Sequence, residues 1–173
     1  MTIYTDPKIY VADLAVYNGG HLHGVWIEVT EDQDDIQEQI QLMLKDSPVE
    51  DAEEWAIHDF EGFDSAVISK YEGIERVVNI AMFLNEYSDI GGALVSHVCG
   101  DLDESHNAAE EQYHGCYRSL ADHAQEITEE TSQIPKHLEF YIDYDRMGRD
   151  MEMSGDVSTI EAAHDQVHIF WGH

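Results

Sequence analysis

The chain has 173 residues, with 37 Asp plus Glu against 8 Lys plus Arg, a formal net charge of −29 and a pI near 4.3. So large an excess of one sign disfavours direct binding to DNA, RNA or an anionic bilayer, whose charge it repels. A disordered acidic tail is an equally poor description, because 43% of the residues are apolar, including three Trp, nine Tyr and five Phe, enough for one ordinary core or a few modest ones.

In chain order, residues 8–17 and 21–29 read as strands joined into a hairpin at Asn18-Gly19-Gly20, whose residues supply the dihedrals of a tight turn. Ile36, Ile40, Met43 and Leu44 then recur at helical spacing behind Asp34 and Asp35, acids placed where the helix dipole favours them. A short strand is expected over 54–60, and Gly62 marks a soft module boundary. Ile74, Val77, Val78, Ala81 and Leu84 predict a second amphipathic helix, followed by a short helix capped by Ser88 or Asp89, with Gly91-Gly92 weakening it.

From Glu104 to Glu130, the stripe Ala109, Tyr113, Cys116, Leu120, Ala124 and Ile127 predicts one long helix, or two broken near Gly115. Pro135 suits the first turn of another helix, with Leu138, Tyr141 and Ile142 facing inward and Gly148 ending it. Strand-like runs at 151–153 and 167–171 flank the turn residues Ser154-Gly155-Asp156. The pattern as a whole is α+β, without a sustained repeat.

The opening residues lack a basic-then-apolar leader pattern and no apolar run is long enough for a bilayer, so a soluble cytoplasmic protein is expected. Cys99 and Cys116 are too few and too far apart for a redox pair or a zinc site, and read as free thiols. On one continuous helix, His106, Glu110 and His114 would share a face at i, i+4 and i+8, but that spacing is wider than a zinc-binding helix uses. The acids at 143–152 offer paired carboxylates, yet carboxylates are so abundant that proximity means little. Phosphate-loop, calcium-loop and serine-elbow patterns are missing from the sequence. Arg146 and Arg149 are two of four arginines, and their expected role is to bind neighbouring acids, Arg149 reaching Asp143 or Asp150. The aromatic residues fall mainly in periodic segments without accompanying positive charge, so they predict cores and not a base-stacking groove. No catalytic residue, metal or cofactor is expected.

The charge is spread along the chain, net −12 over 1–60, −7 over 61–105 and −10 over 106–173. An electrostatic role therefore belongs to a whole folded surface. Because duplex DNA carries about one charge per 1.7 Å of axis, a net of −29 equals the phosphates of roughly 14–15 base pairs.

Four segments carry a resemblance: IYVADLAVYNGGHLHGVWIEV at 9–29, EEWAIHDFEGF at 53–63, IERVVNIAMFLNEY after Glu72-Gly73, and IPKHLEFYIDYDRMGRDMEMSGD at 134–156. The last holds Tyr141-Ile142-Asp143-Tyr144 and then Gly148-Arg149-Asp150. In their order and spacing, and in the acidity around them, they resemble the ArdA antirestriction family over almost the entire chain. The resemblance implies an elongated mimic of bent DNA that occupies the DNA groove of type I restriction-modification enzymes, protecting plasmids and conjugative elements. It further implies three small modules: an α+β module with a hairpin at 1–61, a helical one at 62–103, and an α+β one at 104–173 that supplies a homodimer contact.

The expected partner-binding surface is distributed over Asp32, Asp35, Glu38, Glu72, Glu86, Asp103, Glu110, Glu111, Glu126, Glu129 and Glu130, and the expected dimer contact includes Leu138, Tyr141 and Ile142. The partner is the methyltransferase core of a type I enzyme with its specificity subunit, and direct nucleic-acid or membrane binding is not expected. Competing readings are a DNA mimic that sequesters a nucleoid protein, a transcription regulator or another nucleic-acid enzyme and, further off, a metal-dependent hydrolase.

Overall fold

The computed structural model describes residues 6–172. The chain divides into two units, Met1–Leu102 and Asp103–His173, and the fold is mixed α+β with a small sheet in each.

In the first unit, β1 (Lys8–Asp13) lies between β2 (Gly24–Glu28) and β3 (Trp55–Glu61), antiparallel to both, with Ile9 opposite Ile27 on one side and Phe60 on the other. Ile9, Val11, Ala12 and Ile27 are fully buried. The hairpin is present, but its connection is not the tight turn expected from Asn18-Gly19-Gly20. The strand stops at Asp13, whose carboxylate accepts from the amides of Ala15 (2.8 Å) and Val16 (3.4 Å) and caps a short helix, α1 (Leu14–Asn18). A capping oxygen offers the backbone an alternative to the sheet ladder, and here the cap wins over the β-like pattern of residues 14–17.

Helix α2 (Gln33–Lys45) packs Ile36, Ile40, Met43 and Leu44 into this core as its periodicity requires. Gly62 turns the chain after β3 with a φ of 78°. Helix α3 (Ile74–Glu86) buries Ile74, Val77, Val78 and Ala81, and adds Ile80 and Phe83. Helix α4 (Gly91–His97) begins without the expected cap, since Ile90 holds the cap position and makes no side-chain bond there. Packing decides this start. Gly91 and Gly92 are both buried, and a Cβ at Gly92 would collide with the side chain of Asp64.

The second unit departs furthest from its sequence pattern. The expected helix over 104–130 is four elements: α5 (Leu102–Asn107), a π-helical turn (Ala108–Gln112), the strand β4 (Tyr113–Tyr117) and α6 (Leu120–Thr131). The helical spacing of Ala109, Tyr113 and Cys116 is overridden by pairing with β6 (Gln166–Trp171), which sets Tyr113 opposite Phe170 and Cys116 opposite His168. Gly115 accommodates the strand with a φ of 153°. Long-range pairing routinely overrules a helical pattern when a sheet partner is available.

Pro135 does not open an α-helix. A 3-10 turn (Glu139–Tyr141) precedes α7 (Tyr144–Ser154), which is capped by Asp143 accepting from the Arg146 amide at 3.0 Å. Gly148 lies in the middle of α7, not at its end. It is buried on α6, where an added Cβ would come within 3.0 Å of the Leu120 side chain. The helix ends at Gly155, which takes the left-handed conformation (φ 82°) that favours glycine as a C-terminal stop. Residues 151–153 are therefore the last turns of α7 and not a strand. The strand is instead β5 (Val157–Ala163), which pairs with β6 to complete a sheet of order β4-β6-β5.

Candidate partner-binding surface

The acidic helix α2 is built to keep its carboxylates outside. Its apolar stripe turns Asp34, Asp35 and Glu38 to solvent. Asp32 caps it, accepting from the Asp35 amide at 3.0 Å, and the Asp35 carboxylate accepts from Gln39 Nε2 at 2.8 Å. Both partners are neutral donors that orient the acids without cancelling their charge.

Helix α6 repeats the arrangement in the second unit. Ser119 caps it, accepting from the Asp122 amide at 3.1 Å, and Gln125 Nε2 donates to Glu129 at 2.8 Å. Its inner side buries His123 and Ala124, leaving Asp122, Glu126, Glu129 and Glu130 exposed. Tyr117 stands beside this row. Its phenol pKa is pushed up to about 12, first by burial, then by its hydrogen bond to Glu126 and the negative field of Glu126 and Glu130.

Among the other acids singled out from the sequence, Glu86, Asp103, Glu110 and Glu111 are exposed. Glu72 is different. Its side chain retains 15% exposure, pairs with Arg76 at 2.9 Å and accepts from the Ser69 amide at 3.2 Å. Arg76 also donates to the Gly100 carbonyl, so this pair ties α3 to the loop after α4.

Lys8 meets Glu61 at 3.4 Å, Arg118 meets Asp165 at 3.9 Å and Arg146 meets Asp150 at 4.0 Å, all pairs of the exposed kind that contribute little. Arg149 donates instead to the Asp145 carbonyl at 3.3 Å. Since 8 basic side chains face 37 acidic ones, one-to-one pairing leaves most carboxylates uncompensated.

His106, Glu110 and His114 do not share a helix face: they lie on α5, the π-helical turn and β4. Among the described residues there is no group of three or more His, Cys, Asp or Glu placed to hold a metal ion. Cys99 and Cys116 are free and exposed, and no helix among those residues is long and apolar enough to cross a membrane.

The segment before α7 presents apolar surface. Leu138 is 44% exposed, Tyr141 83% and Phe140 93%, while Ile142 is half-buried. Leu138 and Tyr141 thus do not fill this unit's own core. Phe140 was not singled out from the sequence, and neither was Met153, 85% exposed on α7. The available signal was Phe140 lying between two residues already assigned to a contact.

Two α+β units whose acidic helices stand exposed, with few cations in the sequence to neutralise them, define a protein that imitates the charge of a nucleic acid. The chain belongs to the ArdA antirestriction family, described as Antirestriction protein (ArdA), whose match spans residues 9–166. Its members are DNA mimics directed against type I restriction-modification systems, without catalytic activity of their own. No curated protein matches the chain.

Proposed function

We propose that the protein is an elongated homodimer that competes with duplex DNA for the groove formed by the methyltransferase and specificity subunits of a type I enzyme in the cytoplasm. Its acidic surface extends over three small modules, 1–61, 62–103 and 104–173. The observation that carries this is the exposure of carboxylates on α2 and α6 with neutral amides, not cations, as their side-chain partners. Such a surface attracts a basic groove at long range, and no single acid dominates. Asp32, Asp35, Glu38, Glu86, Asp103, Glu110, Glu111, Glu126, Glu129 and Glu130 supply the field, while Glu72 contributes to it less because of Arg76.

Leu138, Tyr141 and Ile142, with Phe140, form the dimer contact. What supports this is the apolar surface that they leave exposed in a single chain, which a C2 partner covers by presenting the same patch.

The test is a competition experiment with the purified methyltransferase core and its recognition duplex. Duplex DNA is expected to displace the protein, and rising salt to weaken binding steeply. Binding that persists under saturating DNA, or tighter capture by a nucleoid protein than by the methyltransferase, overturns the assignment. Sedimentation at physiological salt is expected to return twice the mass of one chain.

A further inference from the structure

His123 projects inward from α6 with no exposed surface, and neither of its ring nitrogens has a hydrogen-bond partner. Three rings surround it edge-on: His114 and Tyr117 of β4, each with its centroid 5.0 Å away, and Trp171 of β6 at 5.6 Å. The box is also joined within itself. Trp171 Nε1 donates to His114 Nδ1 at 3.2 Å, and the His114 ring stacks on Tyr117 at 5.9 Å with 9° between their planes.

Both imidazoles are neutral in this arrangement, as the chemistry of their surroundings requires. An indole N–H is a donor only, so His114 Nδ1 must offer a lone pair, and a protonated imidazole has none. A protonated His123 would be a buried cation with no carboxylate bonded to it.

We propose that His123, boxed by His114, Tyr117 and Trp171, forms an acid-sensitive latch, which holds α6 on its sheet while its imidazole is neutral and releases it when it takes up a proton. Release displaces the row Glu126, Glu129 and Glu130 together with the helix that carries it.

The charged and titratable groups around the latch are few. From α6 itself come Glu126, bonded to the Tyr117 phenol, and Glu130. From β4 come His114 and Tyr117. On β6, His168 is engaged elsewhere, its Nδ1 lying 2.9 Å from the Tyr113 hydroxyl. Helix α7 touches α6 at the uncharged Met147 and Gly148, and its charged Asp145, Arg146, Arg149, Asp150 and Glu152 are exposed. Burial, then the neighbouring His114, hold the His123 pKa below its ordinary 6.5, and Glu126 offsets them only in part.

Because the folded value is depressed, the unfolded chain binds its proton first as pH falls. The latch's stability is complete above pH 6.5, declines as pH falls below that and levels off below the folded pKa. The carboxylates act in the opposite direction, since acid relieves their mutual repulsion. Wild type and variant must therefore be compared at each pH.

The experiment uses the full chain with Trp26→Phe and Trp55→Phe, which leaves Trp171 as the sole tryptophan, with and without His123→Phe. Urea unfolding is followed by Trp171 emission from pH 8 to 5.5. Below pH 6.5 the His123 chain is expected to lose up to about tenfold in folding equilibrium per pH unit relative to the variant. Because a phenyl ring is larger than an imidazole, His123→Leu serves as the second variant and is expected to give the same flattened profile. In parallel, imidazole NMR of the unmutated chain is expected to show His123 still neutral as pH falls below 6.5. Parallel pH profiles with and without His123, or a His123 that titrates at 6.5 with Trp171 emission unchanged, overturn the latch.

Discussion

Helices α2 and α6 are of nearly equal length, 13 and 12 residues, both turn a row of acids outward and both carry an acid in the first turn, yet they treat the C-terminal end of the helix dipole in opposite ways. Helix α2 has Asp34 and Asp35 in its first turn and Lys45 in its last, the order that the dipole favours. Helix α6 runs to its C-terminus through Glu129 and Glu130 with no basic residue in the last turn. An exposed carboxylate at that end opposes the dipole by about 0.3–1 kcal/mol. Helix stability alone therefore explains the α2 acids and leaves the terminal acids of α6 unexplained. Where a sequence breaks a local rule without local compensation, function is the natural place to look for the reason.

The contrast is sharpest when each row is removed in turn. Replacing Glu126, Glu129 and Glu130 by Gln is expected to weaken binding to the methyltransferase core by on the order of tenfold, through the loss of electrostatic steering. The same change should raise the melting temperature. Asp34→Asn, Asp35→Asn and Glu38→Gln together should also weaken binding, but lower the melting temperature, because they remove favourable charge from a helix N-terminus. If both triple variants moved stability in the same direction, the distinction between the two helices would fall.

Both units leave apolar side chains uncovered, but the most exposed of those described are Phe140, before α7, and Met153, on it, with Tyr141 close behind. Phe140→Ser with Tyr141→Ser is expected to shift the sedimenting species from dimer to monomer while the circular dichroism spectrum is kept. A dimer that survives both substitutions would place the contact elsewhere.

A smaller effect tests the caps. Asp32→Ala removes the α2 cap and should cost about 1 kcal/mol in denaturant unfolding, whereas Glu130→Lys should stabilise α6 by about 0.3–1 kcal/mol. Opposite signs are expected, although both substitutions lower the net negative charge.

A further effect lies at alkaline pH, in the second unit. The Tyr117 phenol is raised to about 12 from an ordinary 10, so the unfolded chain loses its proton first. Stability is then retained below pH 10 and declines between 10 and about 12. Tyr117→Phe should flatten that limb in a pH series of urea midpoints, and an unchanged limb would show that the Tyr117–Glu126 bond does not contribute.

Much of the first unit was legible from the chain itself. The period of Ile36, Ile40, Met43 and Leu44 decides which face of α2 is buried, and the strands read over 8–17 and 21–29 are present as the shorter β1 and β2. These signals are local, and nothing distant contradicts them. The acidity that marks the surface was equally plain, because it is a property of composition, and so was the family pattern, because it resides in the order of residues.

Tertiary structure decided the rest wherever two local preferences were close. At Asp13 a helix cap displaced a strand. At Tyr113–Tyr117 a partner strand more than fifty residues away converted a helical stripe into the edge of a sheet. Gly148 lies inside the helix it was expected to end and Gly155 ends it, since close packing against Leu120 calls for one glycine and a left-handed φ for the other. The box around His123 was likewise invisible in one dimension: β4, α6 and β6 each contribute to it, and only the folded sheet brings them together. Residue type and spacing determine what a segment prefers, whereas the free energy of burying it against a distant partner determines which preference is realised.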